Sequence, residues 1–325
     1  MTNAKDLIVQ ILRKCEVSEQ DIYDDNFIEH DILESLQIAE IIMELEDVFG
    51  IEIDGEDVIP ENFVNVKKIE EMIIRYTDNS KTKKRIKEEI MWDMIARSAV
   101  EDNIIQQAGW KSSFTGRLFS EEEMKEYGEN VIYKLKPYIH KDSTVVEIGI
   151  GSGITARYVA PYVKEYIGID ISGESLKRTQ KQMESEGYTN IKFLKRAAQE
   201  IDTVELQKTD IVIFNSIIQY FNDYQECQKI IKKTSDLLIN GIIFVGDVLD
   251  IEKKEEYLKE IEKNNGTCNK SDLWYSREFM RNIAYDIPCI KDIFISDKEI
   301  WTIQNEMTKY RYDVIYKVGE IIGKA

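Results

Sequence analysis

The chain has 325 residues, 43% of them hydrophobic and 32% charged, with a formal net charge of −18. That length suits about two domains. No run of ~18 apolar residues occurs, which excludes a membrane-spanning helix, and the acidic balance argues against nucleic acid, whose phosphates it would repel.

The N-terminal stretch MTNAKDLIVQ lacks a basic segment followed by an apolar core, so it does not read as a secretory signal. Ala4 to Arg13 reads as an amphipathic helix with Leu7, Ile8, Ile11 and Leu12 on one face. A polar loop follows, and a second helix is predicted to begin near Ser35. Its apolar positions are Leu36, Ala39, Ile42, Leu45, Val48 and Phe49, with Gly50 where a helix would end. Gly55 and Pro60 mark turns, with a short extra turn near 54–58. A third helix carries Val66, Ile69, Met72, Ile73 and Tyr76. Residues 1–79 hold 6 Lys and Arg against 21 Asp and Glu, while the remainder holds 37 against 40. So uneven a charge suggests a separate acidic domain facing a basic partner.

On residue type alone, Ser35 is either a helix N-cap or the anchor of an attached group. The stretch as a whole resembles an acyl or peptidyl carrier protein. The markers are Glu34-Ser35-Leu36 opening the second helix, the run IIMELEDVFGIEI, and the late helix KKIEEMI. The resemblance implies a small all-α bundle over residues 1–79 and a 4′-phosphopantetheine arm on Ser35. The usual triplet is Asp-Ser-Leu, so Glu34 is a departure. A helix start favours a covalently held phosphate through its free N–H groups and dipole.

Residues 80–90, SKTKKRIKEEI, read as a short charged linker leading into a helix, or as a plain charged helix face; the body is expected over 91–325. IMWDMIARSAVEDN continues in helical pattern. AGWKSSFTG reads as a loop, with Trp110 and Ser112 to Gly116 closing over the site or admitting the arm, or with Trp110 simply packed. Ser120 with Glu123 fits a capping box at the next helix. Thr144 to Ile148 then reads as a buried strand, followed by Gly149, Gly151 and Gly153 and a helix. Such glycines supply positive φ and let a ligand approach the backbone. A second strand ends in Asp170, suitably placed to hydrogen-bond ribose hydroxyls. Further strands are expected at 190–197, 209–216 and 241–248, with helices at 174–186, about 222–238 and after 250. This alternation implies a parallel sheet covered on both faces. CIKDIFISDKEIW and MTKYRYDVIYK look like a final antiparallel hairpin at its edge.

The pattern from Glu147 to Gly153, ExGxGxG, resembles the first motif of class I S-adenosylmethionine methyltransferases, not the GxGxxG of dinucleotide folds. That implies a doubly wound, Rossmann-like α/β domain with N-terminal helices. It implies that Glu147, Gly149, Gly151, Gly153, Asp170 and Asn215 bind S-adenosylmethionine. AGWKSSFTG, FNSIIQYF, SDLWYSREFM, IIFVGDVLD and NEMTKYRYDVIY further resemble methyltransferase domains of nonribosomal peptide synthetases. Those domains mainly N-methylate aminoacyl groups held on a carrier.

Asn215, Gln219 and Tyr220 follow the fourth strand and are the candidate catalytic residues, positioning a nucleophile or accepting a proton. Asp247 ends the fifth strand and either faces the pocket or is a solvated turn carboxylate. The chain's histidines, His30 and His140, lie outside the motifs, which argues against a His-based mechanism. The four cysteines form no CxxC pair, so neither a metal site nor a disulfide framework is expected, and the compartment reads as cytoplasmic. The resemblance implies methyl transfer to a carrier-bound thioester in nonribosomal peptide or polyketide-type synthesis. Nitrogen is the expected acceptor; carbon, oxygen, or a free small molecule with a vestigial carrier are the alternatives. The implied partners are a phosphopantetheinyl transferase, an adenylation or acyl-loading enzyme and downstream synthase modules, since no adenylation domain is read here.

Overall fold

A computed structural model describes residues 4–30, 32–33, 35–49, 51, 53–99, 104–204, 209–299 and 301–319. The chain divides into two units, residues 1–88 and 89–325.

The first unit is built on α1 (Ala4–Lys14), α2 (Ser35–Phe49) and α3 (Val66–Ser98), with short 3-10 turns at Asp21–Tyr23, Gly55–Asp57 and Pro60–Asn62. Ile8 and Leu12 of α1, Ile41 and Leu45 of α2, and Ile69 and Met72 of α3 close on Phe27 and Phe63 in one apolar core. The buried stripe of α2 differs from expectation. It runs through Ile38, Ile41, Ile42, Leu45 and Phe49, while Ala39 and Val48 face outward. A 3.6-residue period carries a stripe through Ile38, Ile42 and Leu45, turning Ala39 and Val48 away. Tyr76 braces the turn near Gly55: its hydroxyl donates to Asp57 Oδ2 at 2.7 Å and accepts from the Asp54 amide at 2.8 Å. Residues 80–90, read as a linker before a helix, lie within α3. With no Pro or Gly, and rich in Lys, Arg and Glu, nothing there breaks a helix.

The second unit opens on the end of α3, then α4 (Ile104–Gln107) and α5 (Glu121–Leu135). The capping box at α5 forms as expected, Ser120 Oγ accepting from Glu123 N and Glu123 Oε2 from Ser120 N. There follow β1 (Thr144–Ile148), α6 (Ile154–Val159), β2 (Glu165–Asp170), α7 (Gly173–Ser185), β3 (Ile191–Lys195) and β4 (Ile211–Asn215). Then come α8 (Tyr224–Leu237), β5 (Gly241–Leu249), α9 (Lys254–Lys263), α10 (Arg277–Asp286), β6 (Ile290–Asp297), α11 (Glu306–Lys309) and β7 (Arg311–Val318).

One seven-stranded sheet has the order β3-β2-β1-β4-β5-β7-β6. The first five strands in that order are parallel, and β7 pairs antiparallel with both β5 and β6. The expected edge hairpin is thus present. Side chains alternate across the sheet: Val146, Ile148, Val212 and Phe214 pack under α8 and α10. Val145, Ile211, Ile213 and Phe244 pack under α5, α6 and α7. Two covered faces explain why the strands read as near-continuous apolar runs. The chain winds outward from β1 in one direction and from β4 in the other. The carboxyl ends of those strands therefore form the crevice in which such sheets bind ligands. Among the described residues no helix is long and apolar enough to cross a membrane.

Candidate active site

The loop after β1 turns on three glycines in the left-handed region, with φ of 76° at Gly149, 51° at Gly151 and 73° at Gly153. A Cβ on Gly149 would stand 2.8 Å from Ile217 Cδ1, and one on Gly153 would stand 2.9 Å from Met183 Sδ and Thr179 Cγ2. Conformation and space both require glycine at these two. The loop is tied down from β2. Ile169 O accepts from Gly149 N and Ile150 N, and Asp170 Oδ2 accepts from Gly151 N at 2.9 Å. Asp170 Oδ1 takes the Ser172 amide at 2.8 Å. Burial pushes the Asp170 carboxyl up, against the pull of these backbone N–H groups.

Glu147 points into the protein. Tyr166 Oη donates to its Oε2 at 2.7 Å. Burial pushes its carboxyl up to about 8, although the Tyr166 and Thr155 hydroxyls oppose the rise. Thr155 in turn accepts from Asn215 Nδ2 at 2.9 Å. Glu147, Thr155 and Asn215 therefore join the ends of β1 and β4 through α6.

Past Asn215 the backbone enters the left-handed region at Ser216, with φ 57°. Gln219 folds back, its Nε2 donating to Ser216 O at 3.0 Å and Oγ at 3.1 Å. Asn215 Oδ1 and Gln219 Oε1 are left buried without partners. Tyr220 packs edge-on against Trp92, ring centroids 5.3 Å apart. Burial and the Asp272 carboxylate raise its phenol. Burial likewise raises Asp272, to about 6, against the attraction of Arg311.

Asp247 is fully buried, which removes the solvated alternative. It sits in a bulge between Val245 and Val248 of β5, with φ 63°. Its Oδ2 is ion-paired with Arg311 of β7. Opposite the bulge, Asp313 Oδ1 accepts from Asp247 N at 2.8 Å and from Lys298 Nζ at 2.7 Å. Its Oδ2 accepts from Lys134 Nζ and Asn130 Nδ2, both at 2.8 Å. The two lysines hold the Asp313 carboxyl well below the usual range.

The structure thus gathers Glu147, Gly149, Gly151, Gly153, Asp170, Asn215, Gln219 and Tyr220 along one edge of the sheet. Ser35 opens α2 in the other unit. The side chains of Ser35 and Leu36, with residues Asp31, Glu34 and Gly50, lie outside the described residues. Trp110 packs on Tyr127, centroids 5.0 Å apart. Its loop is held by Glu306, which accepts from Ser112 Oγ at 2.9 Å and Ser113 N at 3.0 Å.

Several residues at this edge had not been singled out. Asp93 Oδ1 accepts from Ser172 Oγ at 2.6 Å and Glu174 N at 3.1 Å, just past Asp170. Gln107 reaches Thr179 Oγ1 at 3.1 Å, and that hydroxyl donates to Gly151 O at 2.6 Å. Their helical stretches gave no sign of this. Arg311 and Asp313 did carry one: two charges at a two-residue step share one face of a strand that is mostly apolar. One exposed group in the first unit, Asp24, Asp25 and His30, brings its ligand atoms within 4.8 Å of one another. There Asp24 raises the His30 imidazole, so an ion pair accounts for it.

Residues 139–308, more than half of the chain, match the family described as "Methyltransferase domain". The chain belongs to this methyltransferase family. Residues 5–73 of the methyltransferase match the family described as "Phosphopantetheine attachment site". It is 26% identical over 239 residues to chondramide synthase cmdD of Chondromyces crocatus, covering 68% of this chain but 6% of that protein. It is 29% identical over 147 residues to enniatin synthase of Fusarium equiseti, covering 43% and 4%. Among solved structures it is similar to N-methyltransferase NodS of Bradyrhizobium japonicum WM9. That match has 14% identity and a TM-score of 0.46, covering 61% of this chain and 97% of the other.

The methyltransferase is therefore an S-adenosylmethionine-dependent enzyme joined to a carrier domain, with S-adenosylmethionine and 4′-phosphopantetheine as cofactors. The edge built above fits the methyl donor. A glycine cradle that a Cβ would fill lies beside a carboxylate, and Asn215 and Gln219, with their unpartnered amide oxygens, stand at and just after the end of β4.

Proposed function

We propose that the enzyme N-methylates an aminoacyl group held as a thioester on a phosphopantetheine arm at Ser35. The observation that carries this reading is the pair of buried, unpartnered oxygens at the end of β4, Asn215 Oδ1 and Gln219 Oε1. They offer acceptors to an amine N–H and no strong base. An unprotonated amine needs orientation more than proton abstraction. His140 precedes β1, at the far end of the strands, and supplies no base here.

In this reading Gly149, Gly151 and Gly153 admit the donor's methionine portion, and Asp170 receives its ribose hydroxyls. Glu147 holds Thr155, and through it Asn215, in place. S-adenosylmethionine would supply a sulfonium methyl to the amine lone pair, sulfur keeping the C–S pair, and the amine proton would pass to water. Asn215 and Gln219 aim the nitrogen, while the Tyr220 phenol walls the site. The carrier match and the synthetase relatives support a phosphopantetheinyl transferase, a loading enzyme and downstream modules as partners. Four unpaired cysteines support a reducing, cytoplasmic setting.

The test is to load the full chain with coenzyme A, a phosphopantetheinyl transferase and candidate amino acids, add the donor, and weigh the ejected arm. A gain of one CH₂, placed on nitrogen by fragmentation, is expected. A gain on carbon or oxygen, or methylation of free amino acids alone, would overturn the reading. S35A is expected to abolish arm loading while leaving donor binding intact.

A further inference from the structure

We infer that Asp247 and Arg311 form the acceptor wall of the site. Asp247 Oδ1 takes a hydrogen bond from the substrate amine, and Arg311 Nε–H donates to the neighbouring acyl carbonyl. This rests on the N-methylation reading and assigns the two groups of an aminoacyl thioester to residues outside its motifs.

Position comes first. Asn215 pairs in register with Gly246, and Ser216 N donates to Gly246 O at 3.0 Å. Asp247 therefore follows directly beside the candidate catalytic segment, at the ligand edge of the sheet. The second observation is conformational. Asp247 holds a left-handed backbone in the interior of a strand. Such strain in a non-glycine residue persists only where surroundings enforce it, and it gathers at functional sites. Here Asp313 enforces it by accepting the Asp247 amide.

The third observation is a mismatch of partners. Asp247 is fully buried, yet its Oδ1 accepts no hydrogen bond; it is ion-paired with Lys298 Nζ at 3.4 Å without hydrogen-bond geometry. Arg311 pairs with Asp247 through Nη1, while its buried Nε–H has no acceptor. A pair serving the fold alone would leave neither atom open, since buried polar groups are satisfied as a rule. One open acceptor and one open donor, on groups already ion-paired, are complementary to an amine and a carbonyl. The charge of Arg311 is also felt by Tyr220 past β4, by Tyr257 of α9 and by Asp272 ahead of α10.

The experiment compares alanyl-pantetheine with propionyl-pantetheine, which lacks only the amine, as ligands of the full chain by calorimetry. Wild type is expected to favour the alanyl compound by about tenfold, and D247N to lose that preference. Asparagine tolerates positive φ and keeps the side-chain size, and unchanged donor affinity confirms the fold. R311K keeps the charge beside Asp247 and should weaken both compounds alike, since both carry the carbonyl. Methyl transfer to a loaded aminoacyl arm should fall about 100-fold in each variant. Transfer by wild type and D247N within about threefold of each other would overturn the inference alone. A wild type that methylates no aminoacyl arm would overturn the parent reading, and the inference with it.

Discussion

Glu147 carries its consequences in its proton. Burial raises its carboxyl to about 8 from an ordinary 4.5. Between those values the folded protein holds a proton that the unfolded chain has released. Its contribution is whole below the unfolded value and is lost as pH rises through the folded one. E147Q keeps the shape and stays neutral, so its stability should vary less over about pH 5 to 8. Relative to that variant, wild type should lose up to about 1.4 kcal/mol per pH unit. Urea unfolding at a series of pH values checks this, and parallel curves would mean that Glu147 is already ionised in the fold. Asp313 works in the opposite sense. Its carboxyl lies below the usual range, so its contribution is present above the ordinary carboxylate value and fades in acid.

Among the elements, the glycine loop makes a graded prediction. A Cβ at Gly153 meets Met183 and Thr179 at 2.9 Å, whereas at Gly151 the nearest atom is Ala108 Cβ at 3.8 Å. Both alanines pay for the left-handed backbone, about 1–2 kcal/mol each. Only G153A adds crowding, about 1 kcal/mol or more. The midpoint of denaturant unfolding should therefore fall further for G153A than for G151A. Elements of this kind were legible in the sequence, because strand, glycine turn and acidic strand end are local patterns. The antiparallel final hairpin was legible for the same reason. The acceptor wall was not: Arg311 meets Asp247 across 64 residues, and Trp92 meets Tyr220 from a helix that reads as any other. The phase of α2 slipped because alanine and valine fit either face of an amphipathic helix, so the period alone had to decide between neighbouring residues.

At the scale of the whole molecule, the two units have separate apolar cores, one drawn from residues 8–73 and the others from residues beyond 104. A ligand that binds one native unit stabilises that unit alone. S-adenosylhomocysteine at ~100 times its dissociation constant should raise the stability of the second unit by about 2.7 kcal/mol. Scanning calorimetry should then show one transition moving and the other still. Movement of both would show that the units unfold as one.

The sheet's antiparallel insertion has a further consequence for protein engineering. The glycine cradle and Asp170 are encoded before residue 171, whereas Asp247, Lys298, Arg311 and Asp313 all come from residues 241–318. An exchange of that C-terminal segment between relatives would transplant the wall opposite the methyl donor and leave the donor loop untouched. Asn130 and Lys134 of α5 break the clean division, both donating to Asp313 Oδ2 at 2.8 Å. Lys134 of α5 supplies a cation to Asp313 with almost no exposure on either side. A graft that leaves its counterpart of Lys134 behind leaves the buried Asp313 with one of its two lysines, Lys298. The unit of exchange is therefore the C-terminal segment together with Asn130 and Lys134.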